Sequence, residues 1–173
     1  LEANTASDNV AVGRDALTAN TTGTRNSSLG SYALDASSTG DDNTAIGYNA
    51  LGQNTTADEN TAVGYNAMQG NTTGTVNTAV GSQALASNST ASFNTAVGRK
   101  ALYTNSTGAN NTALGYQAMV ANTTGARNTS VGQDVLQANT TADNNTGVGY
   151  AALNANTTGA SNTALGAYAL QAN

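Results

Sequence analysis

The sequence predicts an all-β fold, a parallel β-solenoid of about ten 17-residue coils, and two observations predict it. The first is period. Aligned on a core of Asn-Thr-Ala-Val-Gly, units begin at Asn9, Asn26, Asn43, Asn60, Asn77, Asn94, Asn111, Asn128, Asn145 and Asn162. A short fixed repeat marks a chain in which each unit is one coil and buries its apolar face by stacking on its neighbours. The second is content. Every unit carries Asn, Gly and several Thr, all poor in helix interiors, whereas Thr and Val suit a pleated surface. The fifth-position Gly and the fifteenth-position Gly or Ala stand where a coil turns. At a rise of about 4.8 Å per coil, ten coils make a rod on the order of 50 Å long.

Composition removes several alternatives. The chain has no Pro, Cys, His or Trp, and only 9% of its residues are charged. Disorder would not hold an aliphatic residue, Gly and Asn in register over ten units. Without cysteine there is no disulfide framework and no thiolate metal site, and without histidine or cysteine no imidazole base or thiol nucleophile. Ser and Thr belong to the repeated scaffold, so no catalytic constellation and no enzyme activity is expected. A net charge of −5 with five scattered basic residues opposes nucleic-acid binding. No apolar run reaches membrane-spanning length. Residues 1–8 read as part of a preceding coil and 9–173 as the array. Because the chain starts and stops in mid-coil without capping sequence, it is expected to be a piece of a longer array or a subunit that stacks end to end.

Alternation then sorts the positions of a strand. One assignment points the aliphatic fourth position inward, from Val12 and Leu29 through Val63 and Val80 to Leu165, together with the Thr two residues earlier. The ninth position, from Leu17 through Met68 and Met119 to Leu170, supplies a second apolar column. The Asn that opens every unit is expected to form a buried ladder that satisfies backbone at a corner. On this assignment the third position, Ala in seven of ten units, and the eighth, Ala in all but Val135, face outward. A face that stays small and apolar is a flat strip for another chain, with Ala45, Ala62, Ala79, Ala96 and Ala113 as candidate interface residues. The alternative is that one of these columns lines the interior of a tight coil. So thin a core also calls for oligomerisation as a source of further burial.

Three polar features suggest chemistry. Asp41 and Asp42 end one coil, and Asp58 and Glu59 end the next at the same positions. Stacked carboxylates repel unless water or a cation intervenes, so these four are either a solvated loop or a calcium site; no other cofactor is indicated. Asn20, Asn54, Asn71, Asn88, Asn105, Asn122, Asn139 and Asn156 each head an N-glycosylation sequon, though the repeat alone generates the tripeptide. Finally, the fourteenth position is Thr in every complete unit, as at Thr73, Thr90 and Thr107. A regular Thr array resembles the ice-binding face of repeat antifreeze proteins. That column is expected to be packed rather than exposed.

The run Asn-Thr-Ala-Val-Gly followed two residues later by Ala, as from Asn60 to Ala67 and from Asn94 to Ala101, resembles the head repeat of YadA-like trimeric autotransporter adhesins and related phage tail-fibre arrays. The resemblance implies a parallel β-roll, three chains packed around one axis, and a surface used for attachment. The 17-residue unit is longer than the adhesin repeat, so the loop through Asn-Thr-Thr-Gly has no counterpart there. The expected function is a non-catalytic rod or adhesive stalk of an extracellular, cell-surface or virion fibre. It would be a homotrimer that meets a receptor or glycan, without nucleic acid or membrane insertion. The alternative is an ice-binding solenoid.

Overall fold

The computed structural model describes residues 5–172. Ten three-residue strands run along the chain: β1 Val10–Val12, β2 Ser27–Leu29, β3 Thr44–Ile46, β4 Thr61–Val63, β5 Thr78–Val80, β6 Thr95–Val97, β7 Thr112–Leu114, β8 Thr129–Val131, β9 Thr146–Val148 and β10 Thr163–Leu165. They form one parallel sheet in sequence order, and each residue pairs with its equivalent one unit later, as Ala62 with Ala79. No helix occurs among the described residues. The chain is a parallel β-solenoid whose coil is the 17-residue unit. The rest of each coil stacks as well: the Leu34 amide donates to the Ala50 carbonyl and the Thr72 amide to Ser89, so backbone groups outside the strands also find partners in the next coil.

Each strand is followed by a corner that its glycine makes possible. Gly64 has φ +138°, and a Cβ there would stand 2.7 Å from the carbonyl carbon of Gly81 in the next coil. Both the conformation and the close approach require glycine. Three further corners per coil lie in the left-handed region without it. In the fourth unit they are Asn66 (φ 52°), Met68 (φ 52°) and Val76 (φ 56°).

The inward parity is the opposite of the first assignment. Ala45, Ala62, Ala79, Ala96 and Ala113 are wholly buried, and the eighth-position alanines join them in one continuous core with the ninth-position Leu and Met. Val12, Leu29, Ile46, Val80, Val97 and Leu165 instead face outward. The reason is width. The opposite wall already fills the coil with a Leu or Met at the ninth position, buried from Leu17 to Leu153, so the strand can contribute only a methyl. The eighth and ninth positions both point inward because strict alternation belongs to extended chain, and the ninth residue is left-handed, at φ 48–53° in all ten units.

Two asparagine ladders flank this core. At the first position the backbone N–H of Asn43 donates to Asn26 Oδ1 at 3.0 Å, and Asn43 Nδ2 donates across the coil to the Ala57 carbonyl at 2.8 Å. At the twelfth position Asn88 Nδ2 donates both to Asn71 Oδ1 at 2.8 Å and to the Ala91 carbonyl at 2.9 Å. Repeated up the rod, these bonds satisfy buried backbone that a sheet of three-residue strands leaves unpaired.

Candidate interaction surface

Because strand side chains alternate, the residues beside the buried alanines form the outer face of the sheet. That face consists of the second and fourth positions. The second is Thr in eight coils, with Val10 and Ser27 in the others, and the fourth is Val, Leu or Ile in all ten; none is charged. In-register pairing turns these into two straight columns. The fourth-position side chains retain 40% exposure at Ile46, 50% at Leu29 and 54% at Val12. More apolar surface borders the strip, with Tyr48, Tyr65, Tyr116 and Tyr150 one residue beyond the glycine corner and Val76 and Phe93 before the opening Asn, all exposed. Along one edge Arg14 lies 5.3 Å from the Tyr32 ring, Tyr32 meets Tyr48 edge-on at 5.7 Å, and Tyr48 stacks on Tyr65 at 5.7 Å. These contacts set three rings in a row over three coils, with the Arg14 guanidinium at one end.

The alanines named as candidate interface residues therefore do not form an outer surface. The sheet's outer face carries the bulkier fourth-position column in their place.

The four acidic residues are not gathered around a common point. Asp41 Oδ1 accepts from the Thr24 amide at 2.6 Å, and Asp58 Oδ1 from the Asp41 amide at 2.8 Å. Arg25 forms a two-pronged pair with Asp42, Nε to Oδ1 at 2.6 Å and Nη2 to Oδ2 at 2.7 Å. Hydrogen bonding to that guanidinium holds the Asp42 carboxyl below its ordinary range. Asp143 repeats the role of Asp41 on the Ala126 amide at 2.8 Å, and Ser92 does so on Thr75 at 3.0 Å. Where the sixteenth position carries Asp or Ser, at Asp41, Asp58, Ser92 and Asp143, its side chain caps the backbone of the preceding coil. No group of three or more His, Cys, Asp or Glu side chains among the described residues, Asp41, Asp42, Asp58 and Glu59 included, is placed to hold a metal.

Thr22, Thr39, Thr56, Thr73, Thr90, Thr107, Thr124, Thr141 and Thr158 are exposed, contrary to the expectation of a packed column. Their neighbours at the thirteenth position make the inter-coil contact in their place, as when Thr72 Oγ1 donates to the Ser89 carbonyl at 2.8 Å. The eight twelfth-position asparagines that head sequons are buried. Among the described residues no helix is long and apolar enough to cross a membrane.

No family model, curated protein or solved structure matches this chain.

Proposed function

We propose that the chain is a non-catalytic structural rod or stalk of an extracellular or virion fibre, in which three copies pack through the outer face of the sheet. The carrying observation is the uncharged Thr and aliphatic strip, straight over ten strands and uncovered in the single chain. A strip about 48 Å long and about 10 Å wide offers roughly 500 Å² per chain. Pairing two such strips gives about 1,000 Å², the lower bound of a specific interface, and the flanking tyrosines widen it. A copy of the same chain matches the strip coil for coil, and a closed symmetric bundle leaves no strip open. The resemblance to trimeric fibre repeats supports the number three. Attachment then falls to the faces that remain outside.

Light scattering tests this reading. The parent is expected at three times the chain mass, and replacing Val63, Val80 and Val97 with Glu is expected to give folded monomers, because the added charges point outward. A monomeric parent would overturn it. Glu at Ala62, Ala79 or Ala96 is no test of assembly, since those side chains are core and the variant would unfold.

One observation favours a second reading. The fourteenth-position Thr column is exposed and regular, as an ice-binding face requires. Ice shaping by the parent, abolished by Thr73→Tyr, Thr90→Tyr and Thr107→Tyr in a chain that stays folded, would establish it in place of the rod.

A further inference from the structure

The twelfth-position ladder has one interruption. Eight units from Asn20 to Asn156 carry Asn there, and the unit between Asn20 and Asn54 carries Ser37. Ser37 is wholly buried, and its Oγ has no hydrogen-bond partner. The consequence reaches the next coil. Asn71, Asn88, Asn105 and Asn122 each donate Nδ2 twice, once to the preceding Asn Oδ1 and once to the fifteenth-position carbonyl of their own coil. Asn54 Nδ2 donates once, to the Ala57 carbonyl of its own coil at 3.0 Å, because Ser37 offers no carboxamide oxygen in the coil before it.

Exchange of a carboxamide for a hydroxyl removes two heavy atoms from a row that is otherwise filled, about the space of one water molecule. The groups that bound this space are polar. Ser37 Oγ can both donate and accept, Asn54 Nδ2 retains a hydrogen, and the Gly40 carbonyl, which accepts from Asn26 Nδ2 at 2.7 Å, has a second lone pair. In an intact coil a Cβ on the fifteenth-position Gly74 would stand 2.6 Å from Asn71 Oδ1 and 2.9 Å from Asn88 Nδ2, and on Gly40 it would stand 3.2 Å from Asn54 Nδ2, so the oxygen that Ser37 does not supply belongs at this corner. Two to four polar partners are what a buried water requires, and a cation is disfavoured because none of the three groups carries a negative charge.

We propose that this gap is a binding site for a single neutral polar molecule of water size, an internal water that bridges Ser37 Oγ, Asn54 Nδ2 and the Gly40 carbonyl and so completes the ladder. The site is independent of how the chains assemble.

A crystal structure that orders its waters, combined with melting of two variants, tests this. The expected result is a water within hydrogen-bond distance of Ser37 Oγ in the parent. Ser37→Asn should expel it and raise the melting temperature by about 2–4 °C, the shift that accompanies roughly 1 kcal/mol in a chain of this size. Ser37→Ala, which takes away one partner of the water without filling the space, should lower it. Absence of density beside Ser37 Oγ, or a Ser37→Asn variant that melts no higher than the parent, would overturn the proposal.

Discussion

Gly147 and Val135 complement one another. Val135 is the one bulky residue in the eighth-position column of alanines, and Gly147 is the one glycine in the third-position column. A Cβ on Gly147 would stand 2.6 Å from Val135 Cγ1, so the missing methyl of one residue houses the extra methyl of the other. In the same coil as Val135 the third position is Ser130, whose hydroxyl donates to the Val135 carbonyl at 3.1 Å.

Gly147→Ala alone should therefore destabilise the rod by about 1–3 kcal/mol through overpacking. Val135→Ala alone should also cost stability, by leaving unfilled space. The double variant restores the repeat and should recover most of both losses. A double-mutant cycle in denaturant measures this, and additive losses would show that the two side chains are not coupled.

Val76 is a β-branched residue at φ 56°, at a corner that other units give to Asp, Asn, Arg, Glu, Ser or Phe. Left-handed backbone costs an L residue roughly 1–2 kcal/mol, and Asn tolerates it best after Gly. Val76→Asn should raise the melting temperature while changing little packing, since the side chain is 41% exposed. If Val76 also lies within a chain-to-chain contact, the gain will disappear in the assembled form and remain in the Val63, Val80 and Val97 monomer.

Two aspartates give opposite responses to pH. The Arg25 partner lowers the Asp42 pKa below its ordinary 3.8, so its contribution is present above that value and is lost as pH falls further through the folded value. Burial raises the pKa of Asp35 above 3.8, so stability from this group is present below 3.8 and is lost as pH rises through the folded value. Asp42→Asn should lower the melting temperature at neutral pH and converge on the parent in acid. Asp35→Asn should raise it at neutral pH. Melting curves against pH for both variants check the signs.

The sequon asparagines bear on where the chain can be made. Asn71 and Asn88 are buried, and their amide nitrogens carry the ladder, so a glycan at either would block coil stacking. Expression in a secretory pathway that attaches N-glycans should give poorly folded product, recovered when glycosylation is inhibited. Recovery of a folded rod with a glycan on Asn71 or Asn88, seen by mass spectrometry, would contradict the buried ladder.

Period, coil length, strand position and the corner role of the opening Asn were all readable in the sequence, because each depends on contacts between equivalent residues one unit apart. A repeat states those contacts directly: if Asn43 follows Asn26 by one unit, stacking alone brings them together. What the repeat could not state is which residues of a single coil meet across its interior. That depends on backbone dihedrals at Met68 and its equivalents, where a left-handed residue turns two consecutive side chains inward, and on the narrow space left for Ala62 opposite them. The tertiary structure therefore decided the parity of the sheet. It moved Ala45, Ala62, Ala79, Ala96 and Ala113 into the core, brought Val63 and Val80 to the surface, and made Asp41 and Asp58 into backbone caps. The sequence by itself determined the solenoid, since translation along the rod is written in the period. Only folding determined its inner and outer faces, since the width of a coil is set by packing across it.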